Sequence, residues 1–357
     1  MSGRGQTRDG VGREGHAPLP CSGGGNYVDV HAPMVAENGC WSGAERCHRN
    51  SVPSSQMSST AGTSTYRVVW TRGRGCRELA ELLCDAEPSR VQGDPVAACV
   101  TERADLLVAR RFQTSFDLVD VAVPVDVEPD GVEAVVAAVA GGPHSALAAR
   151  LAQRLGDALS VPASMVAAYD SRQGATGAEE VVEQIYPTVP ELEYRTMEAD
   201  DMSDLVSRLP ARSLLVFGAP GGGWIRRHVS GPGAQLRSKA SVGVVMVRSA
   251  PRRVFQVMEE PVFVAPMMHA RDTLRIRSES TLAVAEGGRL VGLVRRSRLS
   301  ELEPDTPVGQ AMEEPVSISH TAAVAEAAPL LPLFGEDPVP VVDDAGRLVG
   351  SLIVPPS

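Results

Sequence analysis

The pentapeptide GRLVG occurs at 288–292 and again at 346–350, and MEEPV occurs at 258–262 and again at 312–316. The two pentapeptides keep their order in both places and are offset by 54 and 58 residues. Two identical pentapeptides in one order indicate a duplicated unit of about 50 residues, since such a match is very improbable by chance.

Each copy of this unit follows the same pattern. A leading segment precedes a helix-like stretch, and two strand-like segments follow, joined by a tight turn at Glu286-Gly-Gly288 or Asp344-Ala-Gly346. Glycine suits such hairpin turns because it adopts positive φ without steric cost. A single β-α-β-β unit of this size buries too little apolar surface to be stable alone, so we expect the two copies to pack as one body.

The duplicated unit resembles a tandem pair of CBS domains, the regulatory module named after cystathionine β-synthase, over about residues 257–354. The resemblance implies an adenosyl ligand such as AMP, ATP or S-adenosylmethionine in a cleft between the repeats, and disc-like homodimers. Many such sites carry Gly-h-x-Thr/Ser-x-x-Asp, in which h is apolar and the Asp holds the ribose. The first copy matches from Gly292 and places Arg295 at the hydroxyl position and Arg298 at the Asp position.

The second copy departs from the motif as well, with Ile353 at the hydroxyl position and Pro356 near the Asp position. The resemblance therefore implies that both ribose sites are altered. The basic run that includes Arg295 and Arg298 attracts phosphate in one interpretation and forms a solvated positive surface in the other.

Upstream of the repeats, residues 131–250 alternate between continuous apolar strands and amphipathic helices. This alternation predicts a parallel sheet covered by helices on both faces. Ligands of such sheets lie beyond the carboxyl ends of the strands, and the glycine-rich stretch that begins at Gly218 follows one of those strands.

This region resembles the universal stress protein family over about residues 132–248. Gly218, Gly221 and Gly231 match the G-x2-G-x9-G spacing of its nucleotide-binding members, which implies that this loop holds ATP phosphates. The chain has Pro232 where the family has Ser or Thr, and Ala140 where the family usually has a nucleotide-contacting Asp. The alternative is that the glycines form a structural turn.

Two regions precede residues 131–250. Residues 61–130 read as a weaker α/β segment, either without an assigned role or adding strands to the next sheet. Residues 1–60 are rich in Gly, Ser and Pro, and predict a disordered tail; a translation start at Met57 is one hypothesis. Charge and proline at 248–256 predict a linker before the CBS pair, which is assigned to residues 256–357.

Composition excludes several function classes. The formal net charge of −10 argues against general nucleic-acid binding, and no run of eighteen apolar residues indicates a membrane span. All six cysteines lie at or before Cys99, and no signal-peptide pattern is present, which favours a cytoplasmic protein with reduced thiols. No usual zinc spacing occurs, so we predict no metal site.

Three functions follow in order of preference. The first is a cytoplasmic stress-response or regulatory protein that senses ATP or AMP through one or both modules and forms a homodimer, without catalysis. The second is an interaction and dimerisation protein in which both nucleotide sites have degenerated. The third, a nucleotide-consuming enzyme, is last because the chain has no G-K-[ST] pattern and Lys239 is its only lysine.

Overall fold

The structure is a computed structural model that describes residues 65–113, 116–170, 174–200, 202–219 and 242–353. All of these residues belong to one compact unit. The predicted disordered tail, most of the glycine loop with Gly221 and Gly231, and Pro356 lie outside the described residues.

Nine strands of the described part form one mixed sheet, in the order β2-β1-β3-β4-β9-β8-β5-β6-β7. They are β1 (Val68–Trp70), β2 (Ser89–Arg90), β3 (Leu106–Val108), β4 (Asp120–Val125), β5 (Ala134–Val139), β6 (Ala163–Tyr169), β7 (Glu193–Glu198), β8 (Ser213–Gly218) and β9 (Val244–Arg248). The predicted α/β architecture with a largely parallel sheet is confirmed.

The sheet consists of two parallel halves that meet at one antiparallel seam. Strands β1 to β4 are parallel to each other, strands β5 to β9 are parallel to each other, and only β4 and β9 pair in opposite directions. Read from the outer edge to the seam, the first half has the order 2-1-3-4, and the second half has the equivalent order 6-5-8-9 inside its extra edge strand β7. An approximate two-fold therefore relates these two sets of four strands. Segment 61–130 therefore adds strands β1 to β4 to the sheet of the segment that follows it. The carboxyl ends of these strands lie at the edge of the sheet opposite to the carboxyl ends of β5 to β8.

Helices cover both faces of this sheet. They are α1 (Cys76–Leu83), α2 (Pro95–Thr101), α3 (Gly142–Leu159), α4 (Thr176–Ile185) and α5 (Met202–Arg208). The longest, α3, begins at a Gly-Pro pair and buries Leu147, Leu151 and Leu155, which are spaced four residues apart on one side of the helix. These leucines share a core with α1 and with strands from both halves, so the seam lies beneath continuous apolar packing.

The C-terminal repeats form two three-stranded sheets, each with one parallel and one antiparallel pairing. Their strands are β10 (Phe263–Val264), β11 (Thr281–Glu286), β12 (Arg289–Arg295), β13 (Ile318–Ser319), β14 (Val339–Val342) and β15 (Leu348–Leu352). Their helices are α7 (Ala270–Ile276) and α8 (Arg296–Ser300) in the first copy and α9 (Leu331–Phe334) in the second, which also has a 3₁₀ helix at Val324–Leu330. The turn glycines Gly288 and Gly346 have positive φ, as hairpin turns of this kind require.

Segment 248–256 is not an exposed linker, so that prediction is wrong. Its end forms the single-turn helix α6 (Val254–Val257), and the side chains of Val254 and Phe255 are fully buried. Phe255 packs in the core of β1, β3 and β4, whereas Val254 packs in the core of the second repeat. The Gln256 amide donates to the Ala104 carbonyl at 2.9 Å, so this segment belongs to both bodies instead of separating them.

No helix of the described ranges is both long and apolar enough to span a bilayer.

Candidate functional site

A cleft of about 730 Å³ lies between the two C-terminal repeats. The first copy contributes the residues that start β11 and those that follow β12, and the second copy contributes the end of α9 and the loop after it. The lining residues are Leu274, Ser280, Thr281, Arg295, Arg296, Ser297, Ser300, Leu333, Phe334, Gly335 and Asp337. A ligand in this cleft would touch both repeats.

Arg295 is the last residue of β12 and the residue that precedes α8. Its Nε lies 3.5 Å from Glu313 Oε2, and about half of each side chain is exposed. An exposed ion pair of this kind is worth little, because water screens both charges. Arg295 can therefore exchange its glutamate partner for an anionic ligand at low cost.

Arg296 lines the same cleft but is engaged within the chain. Its guanidinium donates to the carbonyl of Leu274 at 2.9 Å and to that of Arg277. Both carbonyls lie at the end of α7, where helix carbonyls lack intrahelical partners. Arg296 thus fixes the wall of the cleft, and its charge remains near the space the wall encloses.

Arg298 is placed differently from Arg295. Its Nη1 lies 3.0 Å from Glu301 Oε2 on the surface of α8, and it is not among the residues that line the cleft. The three arginines that lie together in the sequence therefore separate into one at the cleft, one in its wall and one on the helix surface. Ligand binding by Arg298 stays a prediction.

Asp337 was missed by the sequence reasoning. Its two carboxylate oxygens accept hydrogen bonds from the backbone N–H groups of Ser280, at 3.0 Å, and Thr281, at 2.7 Å. These bonds fasten the second repeat to the start of β11 in the first. At the 58-residue offset of GRLVG the matching position is Glu279, whose carboxylate accepts from the neighbouring Ser278 N–H instead, so the shared acidic position gave no sign of a contact between the repeats.

Apolar side chains complete the cleft. Leu274 and the half-exposed Leu333 present aliphatic surface, while Phe334 is almost fully buried beside them. The cleft thus combines an apolar wall, several hydroxyls, two arginines and the Asp337 carboxylate, which is bound to backbone N–H groups. That combination suits a ligand with a flat apolar part and an anionic part.

The corresponding positions of the second copy are used structurally. Ser351 is buried, and its Oγ accepts a hydrogen bond from the Val262 N–H at 2.9 Å. Ile353 is half-exposed and offers no polar group. We therefore assign the candidate site to the cleft that contains Arg295.

Gly218 has a packing reason in the structure. It ends β8, and a Cβ added there would lie 2.8 Å from Cβ of His144 in the first turn of α3. The Nδ1 atom of His144 accepts a hydrogen bond from the Ser249 N–H at 3.0 Å, which places the proton on Nε2. Burial and the nearby Arg248 lower the pKa of His144, in keeping with a neutral imidazole.

A smaller cavity, of about 290 Å³, lies near the seam of the sheet. Its carboxylate, Asp120, accepts hydrogen bonds from the Ser249 hydroxyl and the Ala250 N–H and faces Arg150 at 3.7 Å. Burial raises the pKa of Asp120, although these bonds and Arg150 oppose the shift. The Asp120 carboxylate is thus satisfied within the chain, and the cavity joins β4, α3 and the segment after β9.

Among the residues that the structure describes, no group of three or more His, Cys, Asp or Glu side chains could hold a metal ion.

No protein-family model and no curated protein matches this chain. Several solved structures are similar to part of this chain. One is the cytosolic domain of the Mg²⁺ channel MgtE in complex with ATP, which is 27% identical with a TM-score of 0.27. The match covers 29% of this chain and 46% of the MgtE chain. A CBS domain pair/ACT domain protein from Thermotoga maritima matches at 21% identity and a TM-score of 0.27, covering 29% and 89%. CBSX2 in complex with AMP matches at 25% identity and a TM-score of 0.25, covering 29% and 90%. The chain thus covers less than half of the MgtE domain.

Proposed function

We propose that this protein is a regulatory protein that binds an adenine nucleotide, ATP or AMP, in the cleft between its C-terminal repeats. The observation that carries the proposal is Arg295, an arginine at a strand end whose only ion-pair partner in the described residues is an exposed glutamate. The cleft volume lies within the range typical of small-molecule sites.

Each part of the nucleotide has a matching surface. The guanidinium of Arg295 meets the phosphate, because its fork of donors fits phosphate oxygens. Leu274 and Leu333 offer apolar surface to the base, and the hydroxyl of Thr281 lies on the same lining. Arg296 and Asp337 hold the two walls in place through their backbone hydrogen bonds.

Binding here would act as regulation without a catalytic step. Because the ligand would touch both repeats, it would stabilise their packed arrangement relative to any looser one. The segment of Val254 and Phe255 ties the second repeat to the nine-stranded sheet, so a change in the repeats would reach the sheet through buried contacts. A cytoplasmic location is part of this proposal.

Isothermal titration of the full chain with ATP, ADP and AMP tests the proposal. Arg295→Gln should lower nucleotide affinity at least tenfold, because it removes a charged hydrogen-bond donor. Arg298→Gln is the matched control, since it makes the same change in charge three residues away, outside the cleft. Equal losses in the two variants would place the nucleotide elsewhere, and no binding to the unchanged protein would refute the proposal.

The second candidate is an interaction protein that binds no nucleotide and forms homodimers through the repeats. Two observations favour it: Asp337 already accepts two backbone hydrogen bonds, and the apolar side chains of Ile276 and Leu333 are more than half exposed. Light scattering of the full chain and of Leu333→Glu decides this point. A dimer that the substitution dissociates supports this candidate, and a monomer at tens of micromolar rejects it.

The universal stress protein-like hypothesis adds a second ATP site at the glycine loop and a stress-response role. It rests on the spacing of Gly218, Gly221 and Gly231. Gly221→Val in an Arg295→Gln background should abolish the ATP binding that remains, because a side chain there blocks backbone approach to the phosphates. Unchanged residual binding would leave the loop without this role.

A further inference from the structure

Four arginines lie at the carboxyl ends of two strands in the first half of the sheet. Arg72 and Arg74 follow β1, and Arg110 and Arg111 follow β3. All four are exposed. We call this set the arginine cluster.

The two loops that carry the cluster are in contact. Strands β1 and β3 pair in parallel, and the Thr71 N–H donates to the Val108 carbonyl at 2.9 Å, just beyond the last ladder pair. A Cβ added at Gly73 would lie 3.2 Å from Cβ of Arg110. Glycine at position 73 therefore allows the loop after β1 to approach the loop after β3 this closely.

The strand order makes this edge a crevice. Helix α1, which leaves β1, packs on one face with Val68 and Leu106, whereas the segment that leaves β3 buries Phe116 on the other face with Val69 and Leu107. The chain thus leaves β1 and β3 toward opposite sides of the sheet. In open α/β sheets, ligands bind at such a switch point, outside the carboxyl ends of the strands.

The cluster is uncompensated in charge. Within the described residues, none of its four guanidiniums has an ion pair or hydrogen bond, whereas the adjacent Arg77 pairs with Glu81 at 2.7 Å. The charge of Arg110 is felt at the start of α1: burial, followed by Glu78, raises the pKa of Cys76, and Arg110 opposes that rise. Four cations on two touching loops, with no ion-pair partner among the described residues, repel one another in a chain whose net charge is −10.

We propose that the arginine cluster binds the phosphate groups of a small phosphorylated molecule. Guanidinium groups bind phosphate oxygens in pairs, and a dianionic or trianionic group placed between the two loops removes the repulsion among the arginines. A compact anion fits better than a nucleic acid, because the cluster spans two short loops and the protein as a whole is acidic. This site is separate from the cleft at Arg295 and does not depend on nucleotide binding there.

Titration of the full chain with inorganic pyrophosphate tests the site. The protein carries Arg295→Gln, so that binding of pyrophosphate at the cleft is as weak as possible. Adding Arg72→Gln and Arg110→Gln should lower pyrophosphate affinity at least tenfold, since each substitution removes a charged donor. Arg77→Gln with Arg275→Gln is the control, because it removes the same two charges outside the cluster. The control should change affinity less than twofold, and circular dichroism should show both proteins folded.

Titration with ADP distinguishes the sources of the phosphate. If ADP binds more tightly than pyrophosphate, and the Arg72→Gln and Arg110→Gln variant loses this binding, the proposal is supported and the ligand is a nucleotide. If ADP and pyrophosphate bind with equal affinity, and the same variant loses both, the proposal is supported and the site recognises the phosphates alone. The proposal is overturned if the control variant loses as much affinity as the cluster variant, if pyrophosphate fails to bind at millimolar concentration in low salt, or if single-stranded DNA binds more tightly.

Discussion

Replacing Phe255 by alanine removes a fully buried aromatic ring from the contact between the nine-stranded sheet and the repeats. The ring packs with Val69, Leu107 and Val121 of the first half of the sheet. The backbone of Phe255 also donates to the His320 carbonyl at 2.8 Å, a bond that the substitution leaves in place. The side-chain packing is therefore the only contact that is lost.

The expected cost follows from the burial. A fully buried Phe replaced by Ala lowers the free energy of unfolding by about 3–5 kcal/mol, through lost transfer energy and the cavity that remains. For a unit of this size, such a loss lowers the melting temperature by at least about 5 °C. Phe263→Ala is the matched control, because Phe263 lies in the first repeat with 42% of its surface exposed. That variant should lose about 1 kcal/mol or less.

Thermal unfolding and limited trypsin digestion measure the two consequences. Trypsin sites at Arg252 and Arg253 directly precede the buried turn, so cleavage there should be slow in the unchanged protein and fast in Phe255→Ala, which opens the contact more often. Equal, small losses of stability in the two phenylalanine variants would refute this reasoning. So would rapid cleavage at Arg252 or Arg253 in the unchanged protein.

Two further predictions concern packing and pH. Gly218→Ala should lower the free energy of unfolding by about 1–3 kcal/mol, because the added Cβ would meet the first turn of α3. Gly177→Ala in α4 is the control: a Cβ there meets nothing within 4 Å, so the change should be neutral or stabilising by up to about 1 kcal/mol. Equal effects of the two substitutions in chemical denaturation would contradict this prediction. Hydrogen bonds from Arg154 and from the Tyr66 N–H hold the pKa of Asp85 below its usual value, although burial opposes this shift. The ionised Asp85 therefore contributes its full stabilisation above about pH 4, and this contribution disappears as the pH falls through the lower pKa of the folded state. Unfolding curves from pH 7 to pH 2 should therefore show Asp85→Asn less stable than the unchanged protein at neutral pH and equal to it in acid, and a constant difference would show that the charge plays no part.

Local patterns were sufficient for the architecture of the repeats. The paired pentapeptides predicted two copies of a β-α-β-β unit, and the turn glycines adopt the positive φ that this prediction requires. The alanine-rich stretch of the second copy was harder to predict, because Pro329 lies inside it and Pro332 follows. The structure has a 3₁₀ helix that ends at Leu330 and a short α-helix after it, an interruption that prolines favour.

Long-range contacts explain the predictions that were wrong or incomplete. Charge and proline made residues 248–256 look like a linker, and no local pattern shows that Phe255 fits a core built from β1, β3 and β4. The same limit applies to the cleft, where neighbours in sequence, Arg295 and Arg298, have different partners. Asp337 joins the site only because the second repeat packs against the first.

The approximate two-fold of the sheet places its two crevices at opposite edges, because the halves meet through the antiparallel pair β4 and β9. At the edge of the second half, His144 packs against Gly218 and is held by Ser249. At the edge of the first half, the loops after β1 and β3 instead carry four arginines that have no partner within the described ranges. The two halves share a strand order but differ in what lies at the strand ends, so the sequence resemblance in one half says nothing about ligand binding in the other. The arginine cluster lies in the half that had no assigned role, and that half is also the one into which Phe255 anchors the repeats. A phosphorylated ligand at the arginine cluster and a nucleotide at the cleft would therefore bind to parts of one packed unit, whose two bodies α6 joins through buried contacts.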